Sequence, residues 1–259
     1  MTQPKIGLAL GGGVARGLAH IGVLQALSDI GIKIDMIAGT SSGSIMGALF
    51  AAGYPPNGIA QVACGTVWRD LGHLVVPRHS LLGADRLERR LETLLRGRSF
   101  ADLRLPFAAI CTDLYSAEKV VINSGPVSAA VRASCSIPGI FPPVTLEDKL
   151  LVDGSTVENV PVPTVREMGA DFVIGVDLYA DIAEVQQVEG IMGVLIRNLE
   201  ITQRFHSQAD SQQADICIEP KLAGESLIDL GKVDVYIQAG FDAAMACKEE
   251  LLKLKQHTS

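Results

Sequence analysis

The sequence of 259 residues lacks several features that would place it in a functional class at once. Its formal net charge is -7 and it has no block of basic residues, which argues against nucleic acid as a main partner. No apolar run approaches the length of a membrane-spanning helix, and the N-terminus does not have the pattern of a signal peptide. We therefore expect a soluble, cytoplasmic protein. A peripheral, local and apolar contact with the inner membrane remains compatible with this composition.

Paired cysteines and metal-ligand clusters are also missing. The five cysteines are far apart and odd in number, and no two of them form a CxxC pair. This pattern is not typical of a zinc site or of a disulfide framework. Cys111 and Cys217 lie within apolar runs, as core residues do in a reducing compartment. Because no calcium-loop pattern is found either, we predict chemistry without a metal or any other cofactor.

What the chain does contain is a regular alternation of short apolar runs and segments with helical periodicity, and 48% of its residues are hydrophobic. The runs predict buried strands at Lys5–Leu10, Ile34–Ala38, Phe107–Leu114, Leu150–Gly154, Phe172–Val176 and Asp215–Glu219. The final segment, Val233–Leu254, is predicted to be one long helix. This alternation predicts an α/β fold with a mainly parallel sheet. No repeat, linker or boundary is evident, so we expect residues 1–259 to form a single domain.

A Gly-x-Ser-x-Gly motif is centred on Ser41. It follows the predicted strand that ends at Ala38 and precedes a helix-forming run. A sharp strand-to-helix turn exposes its central residue, and the flanking Gly39 and Gly43 allow neighbouring chain to approach closely. The helix behind the turn adds positive dipole charge where negative charge would develop. Ser41 could be a nucleophile, but an ordinary Gly/Ser turn explains the motif equally well.

A second glycine-rich segment, Gly11–Gly17, lies between the first predicted strand and the first predicted helix. Arg16 stands where a dinucleotide fingerprint requires a glycine, and Leu18 stands where a P-loop requires lysine. The remaining row of backbone amides at a helix N-terminus, with an arginine beside it, favours anion binding. Loops that follow neighbouring strands meet at one sheet edge, so the amides could hold an oxyanion formed at Ser41. A glycine turn packed against the sheet is the alternative.

A serine nucleophile needs a base, and none of the five histidines has a context that marks it as one: His20, His73, His79, His206 and His257. Asp153 is a candidate carboxylate because it ends a predicted strand and precedes Gly154. An unperturbed aspartate has a pKa of about 3.9 and is a weak base at neutral pH, whereas burial would raise that pKa. An Asp-Gly turn explains the position of Asp153 at least as well by spacing alone.

Four segments together resemble the patatin-like phospholipases, in particular bacterial members of about this size. They are Gly11–Leu24, Gly39–Ser44, Ala133–Pro143 and Val152–Gly154, and their order and spacing agree with the family. The resemblance covers about residues 5 to 180 and implies a three-layer α/β sandwich with a mainly parallel central sheet. It also implies a Ser-Asp dyad without histidine, with Ser41 as nucleophile and Asp153 as base. The reaction would be hydrolysis of a lipid or small acyl ester through an acyl-serine intermediate.

The resemblance further implies that backbone amides of Gly12, Gly13 and Val14 form the oxyanion hole, with Arg16 orienting this loop. Two positions depart from the family pattern. Val14 stands where glycine is frequent, and because a β-branched residue disfavours positive φ, we expect a loop conformation that avoids positive φ there. Ser155 stands where the acid motif usually has glycine or alanine, which leaves the carboxylate of the motif in place.

Three functions remain open from the sequence. The first is a serine acyl hydrolase acting on lipids or small esters. The second is a regulatory or interaction protein of the same fold with little hydrolysis, and the third is an acyltransferase that shares the acyl-serine step. The apolar segments Leu71–Leu82 and Ile191–Gln208 could cover the site, touch a bilayer or form the interface of a homo-oligomer. An apolar stripe on a helix is most often core, however, and that is our expectation for Ile191–Gln208.

Overall fold

A computed structural model describes residues 3–74, 80–184 and 187–258 of the chain. Within these ranges the strands are β1 (Ile6–Leu10), β2 (Met36–Thr40), β3 (His73–Leu74), β4 (Leu82–Gly83), β5 (Phe107–Asp113), β6 (Lys119–Ile122), β7 (Val144–Leu146), β8 (Lys149–Asp153), β9 (Phe172–Val176) and β10 (Ile216–Ile218). The α-helices are α1 (Ala19–Ile30), α2 (Ser42–Ala51), α3 (Pro56–Ala63), α4 (Trp68–Leu71), α5 (Asp85–Leu95), α6 (Val127–Ser134), α7 (Val162–Glu167), α8 (Gly190–Ser211), α9 (Val233–Ala246) and α10 (Lys248–Thr258).

The central sheet is mainly parallel, as predicted. Strands β10, β9, β1, β2 and β5 follow one another in this order, and each pairs with its neighbour in parallel. Strands β6 and β8 pair with β5 in antiparallel fashion, and β7 pairs with β8 in the same way. The two short strands β3 and β4 form a separate antiparallel ribbon.

The antiparallel strands determine the position of Asp153, the candidate base. On β5, residues 107–110 pair with β2, whereas residues 111–113 pair with β8. Strand β6 faces residues 109–112 and so occupies the other edge of β5. Strands β2 and β8 therefore run toward each other along one edge of β5. Thr40 pairs with Ile110, Asp153 pairs with the next residue Cys111, and the two strand ends meet at this point.

Helices cover both faces of the sheet, because each central strand alternates its apolar side chains between two hydrophobic clusters. Leu8 and Ile37 belong to the larger cluster, which includes residues of α1, α2 and α9. Ala9 and Ala38, one position further along each strand, belong to the cluster that includes Val165 of α7. The small side chains on the second face allow α7 to lie close to the sheet. This arrangement confirms the three-layer α/β sandwich.

Several predicted elements differ from the observed ones. The second strand is Met36–Thr40 rather than Ile34–Ala38, because the Asp35 carboxylate accepts a hydrogen bond from the Ile6 amide before regular pairing begins. The last predicted helix is interrupted at Cys247, whose amide bonds the Ala244 carbonyl in a tight turn. Part of the segment Leu71–Leu82 forms the β3–β4 ribbon, while its residues 75–79 lie outside the described ranges. The single domain of residues 1–259 stays a prediction.

The expectation that the apolar stripe of α8 is part of the core is wrong. Ile191 is 81% exposed and Phe205 is 69% exposed, whereas Gln203 and Ser207 are buried at 2% and 0%. The reason is that the helix turns its polar side toward polar loops of the protein, which satisfy its hydrogen bonds. Of the helices within the described ranges, none combines the length and hydropathy needed to cross a bilayer.

Candidate active site

The Gly-x-Ser-x-Gly motif forms the sharp strand-to-helix turn that its sequence context predicts. Ser41 lies between β2 and α2 with φ 53° and ψ -124°, and its side chain is almost fully buried. A positive φ is uncommon for a residue other than glycine and costs about 1–3 kcal/mol. Two hydrogen bonds fix this conformation. The Ser41 amide donates to Ser134 Oγ at 2.9 Å, and the Ser41 carbonyl accepts from Ser44 Oγ at 2.6 Å.

The flanking glycines of the turn are required by close packing. A Cβ on Gly39 would lie 2.5 Å from the carbonyl oxygen of Gly43. A Cβ on Gly43 would collide with the carbonyl oxygen of Leu10 at the end of β1. Any side chain at these two positions would therefore push α2 away from the sheet and displace Ser41.

Asp153 is brought to Ser41 by the meeting of β2 and β8. Its side chain is 2% exposed, and its Oδ1 accepts a hydrogen bond from the Ser155 amide at 3.0 Å. Burial raises the pKa of Asp153, and hydrogen bonding to Ser41 and Ser155 only partly offsets this shift. The backbone is also held, since the Asp153 amide donates to the Ser136 carbonyl at 3.0 Å. The structure thus places a buried carboxylate beside the candidate nucleophile.

The segment 134–136 holds the backbone of both Ser41 and Asp153 through hydrogen bonds. Sequence reasoning assigned this segment no role. Ser134 Oγ accepts from the Ser41 amide and donates to the Ile110 carbonyl at 2.7 Å. Two residues later, Ser136 holds the Asp153 amide through its carbonyl. The sequence signal was present in the segment Ala133–Pro143, where one serine ends a helix and another follows it directly before a proline-rich turn. Nothing in the sequence showed which backbone groups they would bond.

The glycine-rich segment lies beside Ser41, but not all of its predicted donors are free. The Gly12 amide donates to the Asn159 carbonyl at 3.2 Å, so Gly12 is not available for the oxyanion hole. The Ala15 amide is also used, since it donates to the Leu227 carbonyl at 2.9 Å. Among the described residues, the amides of Gly13 and Val14 have no hydrogen-bond acceptor, and both residues line the cavity that contains Ser41. Of the three amides predicted for the oxyanion hole, those of Gly13 and Val14 therefore remain as candidates.

The expectation that Val14 avoids positive φ is wrong. Val14 has φ 51°, in the region that a β-branched residue disfavours. Val14 is the first residue of the 3₁₀ helix Val14–Leu18, and the preceding Gly13, with φ 174° and ψ 15°, is neither helical nor in a strand conformation. Hydrogen bonds on either side hold this turn, including the one from the Arg16 amide to the Gly13 carbonyl at 3.0 Å. Strained backbone thus occurs at both Ser41 and Val14.

Arg16 is buried, and its guanidinium points away from the two cavities that contain Ser41. It donates to the Glu225 carbonyl at 2.8 Å, forms an ion pair with Glu200 of α8 at 3.2 Å and lies 5.8 Å from the ring centroid of Tyr179. These contacts tie the glycine-rich loop to α8 and to the segment before α9. The position agrees with an orienting role for Arg16 rather than with direct contact to an oxyanion.

No histidine among the described side chains lines either cavity at Ser41. His20 Nε2 lies 2.7 Å from the Gly11 carbonyl oxygen, and burial lowers the pKa of this histidine to about 4. His20 is therefore neutral at pH 7 and supports the glycine-rich loop. His73 faces Asp85 at 3.1 Å on the surface. His79 and the side chain of His257 lie outside the described part of the chain.

A buried polar network behind the site connects α8 to the glycine-rich loop. Asp210 Oδ2 accepts hydrogen bonds from the amides of Asn159 and Val160 at 2.8 and 3.1 Å. Asn159 in turn accepts from the Gly12 amide and donates through Nδ2 to Ser207. Sequence reasoning missed this network. Its signal was the recurrence of polar residues at helical spacing opposite the apolar stripe of α8: Glu200, Gln203, Ser207 and Asp210.

Two cavities meet at Ser41 and differ in chemistry. The first has a volume of about 140 Å³ and is lined mainly by aliphatic side chains of α2, α3 and α5, such as Met46, Ile59 and Leu91. The second has a volume of about 280 Å³ and contains polar groups, among them Asp153 and Gln203. Val14, Ser41 and Ile137 line both cavities. Among the described residues, no three histidine, cysteine or acidic side chains are grouped as metal ligands.

Comparison with known proteins gives a family match over a segment that includes both Ser41 and Asp153. The sequence profile of the family described as patatin-like phospholipase matches residues 8–166. An uncharacterized NTE family protein of Mycobacterium tuberculosis is 37% identical over 180 residues, which are 68% of this chain and 50% of that protein. Lysophospholipase NTE1 of Coccidioides immitis is 37% identical over 182 residues, which are 68% of this chain and 12% of that enzyme. The chain thus spans half or less of the length of these relatives.

The fold also resembles that of a solved structure. The crystal structure of VipD from Legionella pneumophila matches with a TM-score of 0.58 and 12% sequence identity. The match covers 96% of this chain and 67% of VipD. At this identity the likeness shows the shared fold.

The buried network predicts a pH dependence of stability. Burial raises the pKa of Asp210 to about 7, above the value of about 3.9 for an unfolded aspartate. Between these values the folded chain binds a proton that the unfolded chain lacks, so this residue lowers the free energy of unfolding as pH rises. Asp210→Asn removes this contribution. We expect the stability of the variant relative to wild type to increase from about pH 5 to about pH 8.

Urea unfolding of both proteins at several pH values measures this difference directly. Asp148→Asn, on the exposed turn between β7 and β8, is the matched control and should follow wild type at every pH. If the free energies of unfolding of Asp210→Asn and wild type differ by the same amount at every pH from about 5 to about 8, Asp210 does not titrate as described.

Proposed function

Because this chain belongs to the patatin-like phospholipase family, we propose that it is a serine hydrolase that cleaves acyl esters of lipids. The observation that carries the proposal is the position of Ser41, which lies beside the buried Asp153 and at the junction of an apolar and a polar cavity. Such a junction suits a substrate with an apolar chain on one side of the scissile bond and a polar group on the other. The intact pair of side chains favours an enzyme over a regulatory protein of the same fold.

In the first half-reaction, Ser41 Oγ attacks the carbonyl carbon of the ester while Asp153 accepts the hydroxyl proton. The desolvation that raises the pKa of Asp153 makes this carboxylate a stronger base than an exposed aspartate. The tetrahedral intermediate then collapses, and the alcohol leaves with the proton from Asp153. The product of this step is an acyl ester on Ser41.

In the second half-reaction, water attacks the acyl-serine and gives a proton to Asp153. Collapse of the second tetrahedral intermediate returns that proton to Ser41 Oγ and releases the carboxylic acid. In both intermediates the negative oxygen would be stabilised by the free amides of Gly13 and Val14 and by the N-terminus of α2. These groups are fixed before the substrate binds, so little reorganisation is needed during the reaction.

The proposed mechanism predicts the effect of replacing each of the two catalytic side chains. Ser41→Ala removes the nucleophile and Asp153→Asn removes the base, so each should lower kcat/KM for a p-nitrophenyl ester by about 10³-fold or more. Steady-state hydrolysis of p-nitrophenyl butyrate measures both effects. Asp177→Asn is the matched control, because Asp177 is a second buried acid that follows the end of strand β9 but lines neither cavity at Ser41.

We expect Asp177→Asn to keep most of the turnover. Full turnover in Asp153→Asn, or equal losses in Asp153→Asn and Asp177→Asn, would contradict the assignment of the base. Loss of turnover in a variant that has also lost its folded circular-dichroism spectrum does not count as support.

A further prediction concerns the apolar cavity, which we assign to the acyl chain. Met46 is 8% exposed and lines this cavity on α2. Met46→Trp fills part of the volume, so kcat/KM for a p-nitrophenyl ester of a long-chain acid should fall by about tenfold relative to the butyrate ester. Hydrolysis of an ester series of increasing chain length measures this ratio. An unchanged chain-length profile would show that the acyl group lies elsewhere.

A further inference from the structure

Helix α8 has the reverse of the usual amphipathic arrangement, because its polar side faces the protein. Glu200 forms the ion pair with Arg16 at 3.2 Å, and Gln203 Nε2 donates to Ser155 Oγ at 3.0 Å. About two turns after Gln203, Asp210 accepts a hydrogen bond from the amide of Asn159. The inward side of α8 therefore contacts the glycine-rich loop, the acid loop and the segment that positions Gly12. Internal contacts explain the polar side of the helix, and they leave the apolar side without a role in the core.

The outward side of α8 carries an apolar stripe that solvent reaches. The exposed apolar side chains lie on one side of the helix, around the exposed Asn198, and are Ile191 (81%), Val194 (56%), Leu195 (56%), Ile201 (44%) and Phe205 (69%). At 1.5 Å per residue, the stripe extends over about 20 Å of the helix. Single exposed apolar residues are common, but five on one side of a helix over this length indicate an interaction surface.

The stripe borders the opening of the catalytic cavity. Leu195 lines the cavity that contains Ser41 and Asp153 and is also exposed. Leu81, directly before β4, is 37% exposed and lines the same cavity. Whatever binds the outer side of α8 therefore lies next to the entrance to Ser41.

We propose that the outer side of α8, together with Leu81 at the cavity opening, docks onto the surface of a zwitterionic lipid bilayer. This inference rests on the proposed function, because a lipid hydrolase must take its substrate from such a surface. Docking in this orientation would direct the cavity opening toward the lipid. A second copy of the chain on the same face would instead cover the opening and block entry of the substrate.

The charge of the helix indicates which kind of lipid surface fits. Between Gly190 and Ser211 the helix has two arginines, Arg197 and Arg204, and two acidic residues, Glu200 and Asp210. Arg197 is further neutralised by an ion pair with Glu200 at 3.0 Å. The helix has no basic cluster that would attract anionic lipids, and the chain has a net charge of -7. Docking should therefore depend on apolar contact and be nearly independent of salt.

Flotation with phosphatidylcholine vesicles tests the proposal in the Ser41→Ala background, in which lipid binding does not depend on turnover. We expect this protein to float with the vesicles, and Ile191→Glu/Phe205→Glu should reduce its partition coefficient by about tenfold or more. Raising the salt from about 0.1 to 0.5 M should change the partition coefficient by less than about twofold. Val235→Glu/Leu252→Glu is the matched control, because it adds the same two negative charges at exposed apolar positions of α9 and α10 and should bind like the parent.

Ile191→Ser/Phe205→Ser replaces the glutamate variant if the latter does not fold. Absence of flotation, or equal flotation of the α8 variants and the parent, would overturn the proposal. So would a dimer in size-exclusion chromatography that the α8 substitutions convert to a monomer. With Ser41 restored, the α8 variants should still hydrolyse p-nitrophenyl butyrate. If wild type has no ester hydrolysis at all, the proposed function fails, while the flotation result still decides whether α8 docks.

Discussion

The end-to-end meeting of β2 and β8 on one edge of β5 is the constraint on which the site depends. Strand β5 extends past the end of β2, and β8 pairs with this extension in the opposite direction. Ser41 and Asp153 come from strand ends more than 100 residues apart in sequence, and this register alone brings them together. Ser134 secures the junction, since its hydroxyl bonds both the Ser41 amide and the carbonyl of Ile110 on β5. A slip of one residue in β8 would turn the Asp153 side chain to the other face of the sheet.

The site is held in a strained conformation that the surrounding protein fixes. Ser41 and Val14 both have positive φ, and neither is a glycine. Strain of about 1–3 kcal/mol at each position persists only where neighbouring contacts determine the backbone. At Ser41 those contacts come from Ser134 and Ser44. Helix α8 adds contacts to the loops around the site, through Arg16, Ser155 and the segment 159–160. The polar side of α8 therefore belongs to the site as much as the glycine-rich loop does, and this explains why its apolar side is left at the surface.

Much of the fold could be predicted from periodicity, because buried parallel strands are nearly continuous apolar runs and helices keep their 3.6-residue period. The strand-to-helix turn at Ser41 and the strand end at Asp153 were predicted for the same reason. Three features could not be predicted, since each depends on tertiary contacts. The amide of Gly12 is used by Asn159, which is distant in sequence. Val14 adopts positive φ because its neighbours fix the loop. The apolar stripe of α8 was predicted as core because periodicity shows that a helix is amphipathic, but not which side faces inward.

The central claim is that Ser41 is the nucleophile of a dyad that contains no histidine. Treatment of the protein with a fluorophosphonate, followed by proteolysis and mass spectrometry of the peptides, tests it most directly. We expect one covalent adduct, located on Ser41, with strongly slowed labelling in Asp153→Asn and an unchanged rate in His20→Asn, provided that this variant folds. An adduct on any other residue, or undiminished labelling of Ser41→Ala, would contradict it.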